Sequence, residues 1–108
     1  MVKVHRLKTL AVHFERVLDG SKTFELRRDD RGFEVGHLVE LQEIRPMRHG
    51  ATNRRAYPKE AETSFLGSLR YTGRQLVCVI THTLRPDEQS GDGLRRGYVI
   101  LSIQRKHT

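Results

Sequence analysis

A chain of 108 residues with 31% charged and 36% hydrophobic side chains and a net charge of +7 has the size of one domain with a modest core, and is too apolar and patterned to stay disordered. Its lone cysteine, Cys78, excludes an internal disulfide and a cysteine-built zinc site, and no apolar run approaches the roughly 20 residues that span a bilayer, so neither a membrane nor a cofactor is expected. The basic excess favours a polyanion such as RNA or DNA, and the polar start from Met1 to Arg6 is unlike a secretory segment, which makes the cytoplasm the expected location.

Residues 2–7 alternate weakly and read as a short lead-in strand. Residues 9–19 read as a helix, because Leu10, Phe14, Val17 and Leu18 fall at i, i+4, i+7 and i+8 and form one apolar stripe. Thr9 suits its N-cap and Gly20 the position just past its end. Residues 22–28 read as a strand, Asp29-Asp30-Arg31-Gly32 as a turn, and 37–45 as a second strand with Val39 and Leu41 on its apolar side.

Residues 46–73 show little periodicity and are expected to form a long loop, with a short helical turn around Pro58–Glu62. With the flanking Arg45 and Arg74, the loop carries Arg48, Arg54, Arg55, Lys59 and Arg70 against Glu60 and Glu62, most of the positive excess of the chain. Tyr57, Phe65 and Tyr71 stand among these cations, a mixture that suits single-stranded nucleic acid, where bases stack and phosphates pair. The plainer reading is a solvated loop that Phe65 and Leu66 anchor to the core. Residues 74–85 form the strongest strand, an apolar run of the kind covered on both sides, with Cys78 as a small buried hydrophobe. A polar turn over 86–93 leads to a last strand, 97–105, with Val99, Leu101 and Ile103 on one side. Short strands with one helix predict an α+β domain, a small β-barrel whose helix covers one opening.

The densest local pattern is Gly20-Ser21-Lys22-Thr23-Phe24-Glu25-Leu26-Arg27. In a strand, i and i+2 share a face. Phe24 and Leu26 are therefore expected to face the core, with Thr23, Glu25 and Arg27 on the other side and Lys22 leaning over them from the turn. Arginine offers bidentate contacts to phosphate, lysine a point charge, and glutamate an acceptor for an exocyclic amine. The bland alternative is a surface ion pair worth about 0–1 kcal/mol. The six histidines, His5, His13, His37, His49, His82 and His107, show no ligand spacing, so no metal site is expected.

The spacing Gly-x-Lys-x-x-Glu-x-Arg, met by Gly20, Lys22, Glu25 and Arg27, resembles the signature of the ASCH domain, a branch of the PUA-like β-barrel superfamily. The chain is similar to one ASCH-like family of bacterial and phage proteins in His5-Arg6-Leu7-Lys8, in Asp30-Arg31-Gly32-Phe33-Glu34-Val35-Gly36, in Tyr71-Thr72-Gly73-Arg74 and in Gly97-Tyr98-Val99-Ile100-Leu101. Residues 46–70 look like a local expansion, and His37 stands where such domains usually carry Asp. The resemblance implies a PUA-like barrel with a cleft between helix and barrel that binds RNA or a nucleotide. Some ASCH-like proteins act as ribonucleases or as amidohydrolases on acetylated cytidine. The amidohydrolases resemble Gly-x-Lys-x-x-Thr-x-Arg, with the threonine as nucleophile. Glu25 occupies that position here, and a carboxylate does not replace a lysine-activated hydroxyl. Thr23 is the weak substitute at hand.

The expected ligand-binding set is thus Lys22, Glu25 and Arg27, joined by Lys8, Arg31, Tyr71 and Arg74. If chemistry occurs, its candidates are Lys22, Glu25 and His5, the last as an acid or base near neutral pH. The leading expectation is a binding module without chemistry. A small hydrolase of RNA or a modified nucleoside is the rival, and a phage-type module that docks an acidic host protein is the third reading.

Overall fold

A computed structural model of the chain describes residues 2–46, 69–86 and 93–106. Strand β1 runs Val4–Leu10 and buries alternate side chains, His5, Leu7 and Thr9, while Val4, Arg6 and Lys8 stay exposed. Helix α1, Ala11–Leu18, follows with no intervening loop and buries Phe14 and Val17. Thr9 is not its N-cap as expected: the cap position falls to Leu10, whose side chain makes no capping bond, and Thr9 is the last inward residue of the strand. Gly20 ends the helix as expected. Its φ of +87° is a left-handed turn that a side chain would strain, and it lets Lys22 N–H reach the Arg16 carbonyl at 2.9 Å.

The other strands are β2 (Phe24–Arg28), β3 (Leu38–Pro46), β4 (Leu69–Leu84) and β5 (Tyr98–Arg105). They form one mixed sheet in the order β1-β3-β4-β5-β2, parallel between β1 and β3 and antiparallel elsewhere. The fold is a small compact α+β arrangement. Leu7, Val39, Leu41, Ile80 and Leu101 project from four strands onto Phe14 of the helix and Phe33 of the β2–β3 connection, all nearly inaccessible. Each such side chain stabilises the fold by about 1.5–3 kcal/mol. Val99, Ile103 and Cys78 join them as expected, and burial pushes the Cys78 thiol up to about 11, so it behaves as an inert hydrophobe. Among the described residues, no helix is long and apolar enough to cross a membrane.

Three expectations change. The sheet does not close into a barrel through its backbone: β1 and β2 stand at its two ends. Long side chains occupy the seam between them, Arg27 donating to the Lys8 carbonyl at 3.0 Å and Arg31 to the Arg6 carbonyl at 2.7 Å. The faces of β2 are also reversed. Glu25 is the buried residue, 3% exposed, while Phe24 and Leu26 are about half exposed, because the inward side of β2 meets this polar seam and not the apolar core. Finally, β4 begins at Leu69, earlier than the expected residue 74. The remainder of the expected loop, with Arg48, Arg54, Arg55, Tyr57, Lys59 and the turn at 58–62, lies outside the described residues.

An irregularity in β3/β4 matters for the site. Gln42 pairs with Gln75 and Ile44 with Tyr71, which leaves Glu43 facing Thr72, Gly73 and Arg74. Gly73 takes φ +93° there, and the bulge turns both neighbours toward Glu43.

Candidate functional site

The seam opens into a cleft of about 690 Å³. The end of β1 supplies Lys8, Thr9 and Leu10, the helix His13 and Arg16, the turn Ser21 and Lys22, and β2 the run from Phe24 to Arg27. The Gly20 turn accounts for this convergence: it reverses the chain so that β2 returns past the N-terminal half of the helix.

Glu25 is the centre of the arrangement. Its Oε2 accepts from Arg27 Nε at 2.9 Å, and its Oε1 lies 3.5 Å from Lys22 Nζ. Oε1 is buried and takes no hydrogen bond among the described residues. The Lys22 ammonium offsets part of the cost of burying that oxygen. Lys22 is mostly buried and also lies 5.4 Å from the centre of the Phe24 ring. Around this one carboxylate stand the cations Lys8, Arg16, Lys22 and Arg27.

Arg27 is engaged by the protein itself. Nε is spent on Glu25, and Nη2 on the Lys8 carbonyl and on Thr9 Oγ1 at 3.3 Å. It fixes the carboxylate and pins β2 to β1, and Nη1 makes no hydrogen bond among the described residues. His13 was missed as a site residue. Partial burial, and then the nearby Lys22 cation, hold its imidazole below the ordinary value. His13 and Arg16 lie i, i+3 on the helix just before the signature turn, which was the available sequence signal.

Lys8 lines the cleft as expected, but His5 does not. It is buried on the inward side of β1, its Nε2 3.0 Å from His37 Nδ1 and its ring 4.7 Å from that of Phe33. Burial first, then His37, hold it below its ordinary value. His37 is thus its direct partner. Arg31 spans the seam to the Arg6 carbonyl and does not line the cleft.

Arg74 and Tyr71 belong to another group. Arg74 donates to both oxygens of Glu43, at 2.9 and 2.8 Å, pairs with Glu15 of the helix, and stacks 5.0 Å from the Phe14 ring centre. Thr72 Oγ1 donates to Glu43 at 2.6 Å. The Arg74 hydrogen bonds, aided by Thr72, hold the Glu43 carboxyl down at about 2 despite its burial. This network bolts the helix to β3 and β4, so Arg74 supports the helical wall of the cleft without lining it. Tyr71 is exposed on β4, opposite Ile44. Among the described residues no group of three or more His, Cys, Asp or Glu could hold a metal ion.

The sequence profile of the family described as "Domain of unknown function (DUF3850)" matches residues 4–103, which takes in β1 to β4, all but the last two residues of β5, and the cleft. The chain is also similar to an "Uncharacterized 12.9 kDa protein in GpA 3'region" of Escherichia phage P2, 42% identical over 43 residues. That similarity covers 40% of this chain and 39% of the phage protein.

Proposed function

The chain belongs to the DUF3850 family of domains of unknown function, and from that premise we propose that it is a single RNA- or nucleotide-binding module whose ligand sits in the cleft over Glu25. The observation that carries this reading is the buried carboxylate of Glu25, ion-paired to Lys22 and Arg27, in a cleft lined by the further cations Lys8 and Arg16. An exocyclic amine or ring N–H of a nucleobase is a donor suited to this carboxylate. Phe24 offers a face for stacking, and Lys8, Arg16 and Lys22 supply charge for phosphate. The curled sheet, with its seam bridged by arginines and its helix set over one end, supports an ASCH-like, incompletely closed member of the PUA-like folds.

A second reading keeps the same cleft and adds hydrolysis. The placement of the His13 imidazole in the same cleft lining as Lys22 favours it, and His13 then replaces His5 as the acid or base. The test is equilibrium binding of nucleoside monophosphates and single-stranded RNA to wild type, Lys22→Ala and Glu25→Gln at two salt concentrations, with the RNA analysed afterwards on a gel. Salt-sensitive binding that both variants weaken, with intact RNA, supports the module. Cleavage that disappears in His13→Ala supports the enzyme. An absence of binding by wild type at low salt overturns both.

A further inference from the structure

The outer face of the sheet differs between its two halves. On the β1–β3 side, charge is neutralised locally: Arg6 pairs with Glu40 at 3.4 Å, and Glu40 also accepts from Gln42. On the β4–β5–β2 side the outward residues follow from the register. Leu26 lies opposite Ile100, and Ile100 opposite Leu84; Arg28 lies opposite Tyr98. Leu26 and Leu84 are each about half exposed, and the Arg28 guanidinium sits 5.8 Å from the centre of the Tyr98 ring. No outward residue of this half is acidic among the described residues. Asp29, the neighbouring carboxylate, is engaged by Arg85 at 2.6 Å. The face is therefore an apolar and aromatic platform that carries one cation, Arg28, with no outward acidic residue beside it among the described residues.

This platform is continuous with the cleft, because Phe24 and Leu26 belong to both. Tyr98 and Phe24 lie about 14 Å apart by strand spacing, more than a mononucleotide covers. We infer that the β2–β5 face carries the continuation of a single-stranded nucleic acid whose first base occupies the cleft, with a following base on Tyr98 and its phosphate at Arg28. This rests on the cleft reading above and deepens it: the ligand is a strand and not a free nucleotide. An aromatic face beside a cation, continuous with the cleft, suits a single strand, in which bases stack and phosphates pair.

The test compares binding of a nucleoside monophosphate with that of a single-stranded RNA of about ten nucleotides, to wild type, Tyr98→Leu, Arg28→Ala and Lys22→Ala. Tyr98→Leu keeps the apolar bulk and removes the aromatic face, and Arg28 is exposed, so both variants retain the fold; circular dichroism checks this. The RNA is expected to bind wild type at least tenfold more tightly than the mononucleotide, and Tyr98→Leu and Arg28→Ala each to weaken the RNA about tenfold without changing mononucleotide affinity. Lys22→Ala weakens both ligands. Equal affinity for the two ligands, or RNA binding insensitive to Tyr98→Leu and Arg28→Ala, overturns the platform and leaves the cleft standing. Failure of wild type to bind either ligand overturns the cleft reading and the platform with it. Self-association of wild type that Tyr98→Leu abolishes assigns the face to a second copy and also overturns the proposal.

Discussion

Arg27 on β2 donates Nη2 to the main-chain oxygen of Lys8 on β1 at 3.0 Å, although those strands stand at opposite ends of the sheet. A side chain thus does what a strand ladder would do in a closed barrel. The same guanidinium holds Glu25 at 2.9 Å. Arg27→Ala removes the seam and leaves a buried carboxylate with less compensation, so it is expected to destabilise the protein by about 2–4 kcal/mol in urea denaturation. Adding Glu25→Gln to it should cost less than the sum of the single effects, since both act on one contact. Full additivity would show that the pair is uncoupled.

Lys22→Ala is expected to weaken RNA binding across sequences and to reduce the slope of log K against log salt by about 0.7, one phosphate's share for a single strand. Lys22→Arg should retain most of that slope. Titrations at several salt concentrations read this directly, and an unchanged slope in Lys22→Ala would remove Lys22 from phosphate contact.

Glu43 gives the fold an acid limit. Its carboxyl is held at about 2, against 4.5 for an ordinary glutamate, chiefly by Arg74. The unfolded chain therefore binds a proton that the folded chain refuses. Stability from this group is complete above pH 4.5 and is lost as pH falls toward 2. The amount is about 3 kcal/mol by linkage. Glu43→Gln should lower stability at neutral pH and flatten the acid limb in that window, as measured by denaturation at a series of pH values.

His5 acts in a separate window. Burial and the facing His37, with Lys3 and Arg31 nearby, lower its pKa from 6.5. The contribution is complete above pH 6.5 and declines as pH falls from there to the lowered value. His37→Asp puts an opposite charge against His5 and raises its pKa. The loss of stability just below pH 6.5 should then shrink or reverse. A melting temperature that follows the wild-type pH profile in this variant would show that the pair does not control it.

Much of the framework was legible in the chain. The helix followed from the spacing of Phe14 and Val17, its end from Gly20, and the inner strands from the alternation of Val39 with Leu41 and of Val99, Leu101 and Ile103. These are local rules of period and backbone sterics. The facing of β2 was not legible, because Phe24-Glu25-Leu26-Arg27 alternates equally well in either sense. An inward default for apolar residues fails there, because the neighbour that β2 meets is a polar seam.

The sequence by itself determined the element types, the basic surplus, and the presence of an acid and two cations within one short turn and strand, because each is set by residues close together in the chain. Tertiary structure alone decided that Glu25 is buried between Lys22 and Arg27, that His5 pairs with His37 and leaves the cleft to His13, and that Arg74 serves Glu43 and the helix. Those outcomes depend on contacts between residues tens of positions apart. They follow from where the curled sheet brings its two edges together, which no local spacing specifies.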